Sequence, residues 1–288
     1  MNQAPNPSSP NQRPALAIAR MASPVAAKLG RLSRLSDGDK LAISRLTSKQ
    51  RAVEARSDIA RPAGIGFLLQ GYAHQYVTLP DGRRQIMAIL LPGDQLPASG
   101  PDAPDAGHSI CAITNATVSE AAPAVAEPLL LGHPAIAGAL RSAALVNRAT
   151  LYERIVSLGR RSARERVAHL LCETFVRSQG VGLDNGMQCI MPVCQADIAD
   201  LLGLSLVHTN RSLQGLRADR LVRLDSRLLT ILDFPRLQAA ASFNPSYLRP
   251  QTQEGVVPPP SQSPAAAGAR AAARQLAHDD WDALAQAA

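Results

Sequence analysis

The residues best suited to chemistry on a partner lie in one run of the chain, residues 195–216. The run predicts a short amphipathic helix, a turn at Gly203, and a second helix whose N-cap is Ser205. Two helices joined at a steep angle by a short turn that contains glycine form a helix-turn-helix. Because the second helix of this arrangement usually enters the DNA major groove, we expect the segment to bind DNA.

The two faces of the second helix carry different side chains. At about 100° per residue, the inward sector that should pack on the first helix contains Leu206, Thr209, Leu213 and Leu216. The opposite face is centred on Arg211, and an arginine can bind guanine through two parallel hydrogen bonds. The predicted DNA-binding residues, which include the capping serine, are Ser205, Val207, His208, Asn210, Arg211, Gln214 and Arg227. The alternative is a helical hairpin with an ordinary solvated face.

The residues after this helix favour a winged helix over a plain pair of helices. Two short apolar runs, 221–224 and 228–232, flank a polar turn and predict a β hairpin. Residues 187–192 could supply a third strand. The turn of the hairpin carries Arg227, which is suited to a phosphate contact.

The upstream part of the chain is first β-like and then helical. Between residues 59 and 125, short apolar runs are separated by turns such as 80–82 and 92–94, which predicts a sandwich or barrel. From 133 to 159 the apolar spacing is that of a long helix, and a further helix is expected over 162–178.

The long helix at 133–159 carries apolar residues at steps of three and four, close to the spacing of about 3.5 residues in a coiled-coil seam. A single polar residue within the seam, Asn147, is of the kind that fixes the register of two strands. The predicted dimer-interface residues are Leu140, Ala144, Asn147, Leu151, Ile155 and Leu158. The alternative is a long helix that packs on its own β domain.

Composition points to a polyanionic partner. The 288 residues carry a formal net charge of +7, and residues 160–249 hold 12 arginines against 8 acidic residues.

No apolar run approaches the roughly 18 residues of a membrane span, and the N-terminus does not have the pattern of a signal peptide. We expect a cytoplasmic protein without a membrane partner. Residues 1–14 and 250–288 are rich in Pro, Ser or Ala, and are predicted to be disordered tails.

Other kinds of site find little support in the residues. The six histidines are not paired at ligand spacing, so no metal site is predicted. No phosphate-binding loop, nucleophile elbow or pair of catalytic carboxylates is recognisable, so no enzymatic activity is expected. Cys189 and Cys194 precede the helix-turn-helix, and they are either buried structural thiols or a redox switch.

The order of β barrel, long helix and winged helix-turn-helix resembles the Crp–Fnr superfamily of bacterial transcription regulators. The resemblance covers about residues 30–248, and its most specific motifs lie at 158–173 and 195–205. Residues 207–217 are similar to a branch common in alphaproteobacteria. The resemblance to this superfamily implies an α+β fold. Its parts would be a cyclic-nucleotide-binding-like jelly-roll barrel at 30–130, a dimerisation helix at 133–159 and a winged helix-turn-helix at 160–248.

The resemblance also implies a homodimer that binds a two-fold symmetric promoter site and acts on RNA polymerase. Arg211 falls where the family has its base-contacting arginine, but Val207 stands where well-known members carry a glutamate that accepts from cytosine. His208 and Asn210 are the candidates to supply specificity instead. The alternative is a degenerate sensor or protein-interaction module that has lost sequence-specific DNA binding.

The implied sensor lacks the residues that bind the family's usual effectors. Cyclic-nucleotide binders carry a Gly-Glu pair for the ribose and an Arg-Ser or Arg-Thr pair for the phosphate, and neither is intact along 92–101 and 107–110. His108 occupies the arginine position, and a neutral histidine cannot replace that permanent charge. No cysteine precedes Cys111, whereas cluster-binding members have N-terminal cysteines. We therefore predict neither cyclic nucleotide nor iron–sulfur cluster as cofactor.

Overall fold

The computed structural model describes residues 23–99, 107–225 and 227–249, so the predicted tails at 1–14 and 250–288 lie outside the described residues. The helices are α1 (Pro24–Gly30), α2 (Asp37–Leu46), α3 (Pro123–Gly132), α4 (Pro134–Arg160), α5 (Ala163–Gln179), α6 (Gln195–Leu202), α7 (Leu206–Ala218) and α8 (Phe234–Ala241), followed by a 3-10 turn at Pro245–Leu248. The strands are β1 (Gln50–Val53), β2 (Ile65–Gln70), β3 (Ala73–Thr78), β4 (Arg84–Leu90), β5 (Ser109–Ala112), β6 (Ala116–Ala121), β7 (Asp184–Asn185), β8 (Gln188–Ile190), β9 (Val222–Asp225) and β10 (Leu228–Ile231).

The N-terminal strands form two antiparallel sheets, in the orders β1-β6-β2 and β4-β3-β5. Apolar residues of both sheets meet in one core that includes Leu68, Leu90, Ile110 and Val118. These open sheets are jelly-roll-like, and with the helices they give the α+β class that the sequence predicts. Four short elements, α1, α2, β1 and α3, were not predicted from the sequence. For α2 a local signal was present, because Ser36 forms a capping box with Asp39, and Ala42, Ile43 and Leu46 recur at helical spacing and are buried.

The turn after β4 contacts α1, which packs on β2 of the first sheet and on α4. Gly93 has a φ of +91°, and a Cβ at this position would lie 2.6 Å from the carbonyl oxygen of Pro24, so only glycine fits. The next residue, Asp94, accepts from the backbone N–H of Leu91 at 2.8 Å and is paired with Lys28 of α1. The predicted turn at 92–94 therefore also fixes the position of α1.

The long helix ends where the following helix is capped. Sequence predicts the helix over 133–159, and α4 runs from Pro134 to Arg160. The chain then becomes extended at Arg161 and Ser162, and Ser162 forms a capping box with Glu165. Among the described residues no single helix is long and apolar enough to cross a membrane. α3 and α4 pass that test only as a pair, and they are bent by 109° against each other.

A group of charged and aromatic side chains around the buried Arg154, His169 and Glu173 joins α4 to α5. Glu173 of α5 accepts from Arg154 of α4 at 3.0 Å and from the hydroxyl of Tyr247 at 2.9 Å. Arg177 lies 3.8 Å from the same carboxylate and donates to Asp94 at 2.8 Å. We call the following residues the elbow cluster: Glu153, Arg154, His169, Glu173, Arg177 and Tyr247.

His169 is the member of the elbow cluster that should respond to pH. It is buried beside the ring of Phe243, at 5.0 Å between centroids, and its Nε2 lies 3.4 Å from Glu153. Burial lowers the pKa of His169 to about 4, although the nearby carboxylate of Glu173 acts to raise that pKa. Arg161 and Arg154 also lower it, whereas Glu153 raises it.

We expect His169 to make the protein less stable in mild acid. Its pKa is lower in the folded than in the unfolded chain, so the unfolded chain binds more protons between pH 6.5 and about 4. The free energy of unfolding should therefore fall as the pH drops through this window, by about 2 kcal/mol from this group between pH 7 and pH 5. His169→Phe, which keeps a ring against Phe243, should remove that part of the loss. Urea unfolding of the wild-type protein and of His169→Phe at pH 7 and pH 5 measures the loss of unfolding free energy. Equal losses in the two proteins would show that His169 is not the responsible group.

The C-terminal part has the arrangement of a winged helix. Strands β9 and β10 form the predicted hairpin, with Leu229 opposite Leu224. The predicted third strand is present as β8, which pairs with β10, and β7 extends the sheet to the order β7-β8-β10-β9. Helices α5, α6, α7 and α8 pack on this sheet through one apolar core that includes Leu170, Ile198, Leu213 and Leu229.

Candidate nucleic-acid interface

The local signals of the helix-turn-helix are all present in the structure. Gly203 ends α6 with φ 60° and ψ 41°, the left-handed conformation that favours glycine. Ser205 caps α7, because its hydroxyl accepts from the backbone N–H of His208 at 3.3 Å. The same hydroxyl lies 2.9 Å from Nδ1 of His208, so it also orients that ring.

The inward face of α7 differs from the sequence prediction at one position. Thr209, Leu213 and Leu216 are buried as expected. Leu206 was expected inside but is 54% exposed, since it occupies the first position of the helix at the edge of the inward sector. Ser212 is buried at the other edge, where it donates to the carbonyl oxygen of His208 at 2.8 Å.

The outward face of α7 is accessible from one end to the other. All seven residues predicted to contact DNA are exposed: Ser205, Val207, His208, Asn210, Arg211, Gln214 and Arg227. Within the described part of the chain, the guanidinium of Arg211 has no carboxylate partner, so its donors remain available. Arg227 stands at the tip of the wing with a φ of +71°. This face can offer hydrogen-bond donors to an anionic groove, although its contact with DNA remains a prediction.

Several neighbouring arginines are already used to hold the domain together. Arg217 donates to the carbonyl oxygen of Leu224 at 2.8 Å, which ties α7 to the wing. Arg164 of α5 is paired with Asp219 at the end of α7. In the sequence these two arginines contribute only to the excess of positive charge. In the structure both arginines bind other parts of the protein. A count of charged residues cannot show which arginines do this and which are available to DNA.

The first helix of the helix-turn-helix is fixed to the N-terminal sheet by Arg84 of β4. Its guanidinium donates to Asp197 at 2.8 Å and to Asp200 at 2.9 Å, and it lies 3.0 Å from Nε2 of His74. Gln85 adds a hydrogen bond to the carbonyl oxygen of Asp200 at 2.8 Å. One apolar core also joins the two parts. It contains residues of β4, the residue that follows β4, and residues of α5 and α6: Ile86, Ile89, Leu91, Leu171, Ile198 and Leu202.

The predicted dimer seam divides between two environments. Its N-terminal member Leu140 is half-buried and packs against the protein's own core. Leu158 is half-buried near Gly203. The other four, Ala144, Asn147, Leu151 and Ile155, are exposed.

The C-terminal half of α4 presents a strip of large apolar side chains to solvent. We call the following residues the apolar face of α4: Leu145, Leu151, Tyr152, Ile155 and Val156, of which Ile155 is 66% exposed. On the helical wheel this face overlaps the seam at Leu151 and Ile155 but extends further to one side. Exposed apolar patches of this kind mark interaction surfaces.

A cavity of about 250 Å³ lies between β4, the loop that follows it and α4. Its described lining combines apolar side chains with the polar groups of Gln75, Gln95, Asn147, Arg154 and Arg177. His108 lies at the start of β5, where Nδ1 is 3.3 Å from the side-chain amide of Gln75.

The four cysteines lie on different elements. Cys111 is in β5 and Cys172 in α5, while Cys189 and Cys194 precede α6. Within the described residues, no group of three or more side chains could hold a metal ion. Burial raises the pKa of Cys189 to about 11, which disfavours its reactive thiolate, whereas Cys194 is exposed.

A winged helix-turn-helix with an exposed second helix defines a class of DNA-binding protein. Comparison with known proteins identifies the family within this class. The profile of the Crp-like helix-turn-helix domain matches residues 165–240. The transcriptional activatory protein AadR of Rhodopseudomonas palustris is 31% identical over 180 residues, which are 61% of this chain and 72% of AadR. The nitrogen fixation regulation protein FixK of Bradyrhizobium diazoefficiens is 31% identical over 178 residues, which are 61% of this chain and 73% of FixK.

The solved structure of FixK2 from Bradyrhizobium japonicum superposes on 68% of this chain and 98% of its own, with a TM-score of 0.60 and 25% identity. The chain therefore belongs to the Crp–Fnr family of transcription regulators. The resemblance drawn from the sequence motifs is confirmed, and so is the function as a DNA-binding transcription regulator.

Proposed function

We propose that the protein is a homodimer that binds a two-fold symmetric promoter site through α7 and acts on RNA polymerase. The observation that carries this proposal is the exposed outer face of α7, where Arg211 lies about one helical turn from Val207 and from Gln214 and has no carboxylate partner within residues 23–99, 107–225 and 227–249. Two such helices, related by a dimer axis, would read two half-sites about one helical turn of DNA apart. Regulation of transcription, rather than catalysis, is the activity we assign.

The apolar face of α4 supports the proposed dimer. A helix of 27 residues that leaves five large apolar side chains in solvent would be stabilised by pairing with a second copy. We propose that Leu151 and Ile155 lie at the centre of this interface, together with Ala144 and Asn147 of the seam. The half-buried Leu140 and Leu158 would contribute at its ends.

We propose that neither a cyclic nucleotide nor an iron–sulfur cluster is the signal. His108 stands at the position of the family's phosphate-binding arginine and lies beside Gln75. A cluster needs thiolates that converge, and two of the four cysteines here are buried on separate elements. Titration calorimetry with cyclic AMP tests whether the protein binds a cyclic nucleotide. An absorbance spectrum of the anaerobically purified protein tests whether it holds an iron–sulfur cluster.

The alternative function is a sensor or interaction module that no longer reads DNA. Its support is Val207, an apolar residue at a position where well-known relatives carry glutamate. Selection of bound sequences from a random duplex library separates the two. Enrichment of a two-fold symmetric motif supports the promoter-binding dimer, and binding without any enriched sequence supports the alternative.

Replacing Arg211 by alanine should weaken specific binding by about 1–3 kcal/mol and relax selectivity at one position of each half-site. The reason is that a bidentate arginine contact to guanine is lost. Fluorescence anisotropy with the selected site and with single-base variants measures both effects. Arg51→Ala, which removes an equal charge from the exposed side of β1, is the matched control and should retain full selectivity. An Arg211→Ala protein with unchanged affinity and selectivity would rule out this readout.

A further inference from the structure

The recognition helix carries an exposed apolar side chain in the row that faces outward. Val207 is 66% exposed, although a valine gains free energy when it leaves water. At about 100° per residue, Val207 lies within about 40° of Arg211, and Gln214 continues the same row. The valine therefore belongs to the outward surface of α7 and is not part of the protein's apolar core.

The spacing of this row relates Val207 to the base that Arg211 would read. Side chains at i and i+4 on a helix have Cβ atoms about 5–6 Å apart. Base pairs of B-DNA follow one another at about 3.4 Å along each strand. If the arginine binds guanine, the valine thus meets a base pair one or two steps away in the same groove.

The chemistry of valine selects among the base edges in the major groove. Thymine presents a C5-methyl group, and apolar side chains contact that methyl. Cytosine presents an amino donor at N4, which a valine leaves without an acceptor once the groove is desolvated. A glutamate at this position would favour cytosine for the opposite reason.

We propose that Val207 reads a thymine methyl group in each half-site, one or two base pairs from the guanine bound by Arg211. This inference rests on the proposed function, because it requires that α7 enters the major groove. It makes Val207 a specificity-determining residue and gives this protein a half-site that differs from those read by a glutamate.

Leu206 is the competing candidate for an apolar contact, and its place on the helix argues against it. It lies about 100° from Val207 around α7, on the flank that carries Asn210, and not in the outward row. In the experiment, Leu206→Ala is therefore the matched control for Val207→Ala. Both variants shorten an exposed apolar side chain in the first turn, so neither is expected to alter the fold.

The test removes single methyl groups from the DNA. The preferred duplex is first selected with the full-length protein, and each thymine of one half-site is then replaced by uracil, which differs only in that methyl. At one position the wild-type protein should bind about fourfold more weakly, the equivalent of the roughly 0.8 kcal/mol that one buried CH₂ contributes. At the same position, 5-methylcytosine should be bound better than cytosine.

The variants assign the effect to a residue. Val207→Ala should bind the thymine and uracil duplexes equally well at that position, and Leu206→Ala should retain the difference. Val207→Glu should change the preference from thymine to cytosine. The inference is overturned if no thymine is sensitive to loss of its methyl, if the sensitivity persists in Val207→Ala, or if Leu206→Ala abolishes it. A selection that enriches no sequence at all would instead reject the proposed function, and the inference with it.

Discussion

Leu151→Arg is expected to convert the proposed dimer into a monomer and to abolish tight binding to a symmetric site. Leu151 lies in the apolar face of α4, next to Ile155 on the same side of the helix. In a dimer the new guanidinium would be buried twice without a partner, and an uncompensated buried charge costs about 3–5 kcal/mol. The dimer dissociation constant should rise by at least about a hundredfold.

Sedimentation velocity at micromolar concentration measures the change in mass, and anisotropy with the selected duplex measures the loss of affinity. Leu41→Arg is the matched control, because Leu41 is an exposed leucine on α2, outside the apolar face of α4. It should leave both the mass and the affinity unchanged. A Leu151→Arg protein that still sediments as a dimer would show that the apolar face of α4 is not the interface.

Glu173→Gln is expected to cause the largest loss of stability of any single polar substitution in the elbow cluster. The carboxylate is 2% exposed, and it accepts from Arg154 at 3.0 Å and from Tyr247 at 2.9 Å. Burial alone would raise the pKa of Glu173, but Arg154 and Arg177 keep it below its ordinary value, so the group is charged. A neutral amide would leave the buried Arg154 without a counter-charge, at a cost of about 3–5 kcal/mol.

Urea unfolding at pH 7 measures this loss, and Glu127→Gln, an exposed glutamate on α3, is the matched control. We expect the control to change the free energy of unfolding by less than about 0.5 kcal/mol. A loss below about 1 kcal/mol in Glu173→Gln would mean that water or a relaxed backbone satisfies Arg154. The elbow cluster would then not be what joins α4 to α5.

The accuracy of the sequence predictions followed the range of the interactions involved. The turn at Gly203 and the cap at Ser205 were predicted because a left-handed glycine and an N-capping serine act within a few residues. The wing followed from two apolar runs beside a polar turn. Leu206 was predicted to be buried but is exposed, because periodicity gives the direction of a side chain but not whether another element covers it.

The partners of Arg84 were beyond the reach of the sequence. Asp197 is separated from it by 113 residues and Asp200 by 116, and nothing local indicates that β4 meets α6. The same holds for the contact of Arg154 with Glu173, which lie on two helices separated by the extended residues Arg161 and Ser162. Such pairs depend on how whole elements dock, which is set by the sum of many apolar contacts.

By itself, the sequence determined the helix-turn-helix, its wing, the order of β region and long helix, and the exposed face of α7 around Arg211. Capping, turn formation and apolar periodicity require only neighbouring residues, so one chain without its structure is enough. The tertiary structure alone decided which part of α4 packs inward and which is left as an apolar face. It also decided which arginines are paired with carboxylates, whereas Arg211 has no such partner among the described residues. Burial and charge pairing are properties of surfaces brought together from distant parts of the chain.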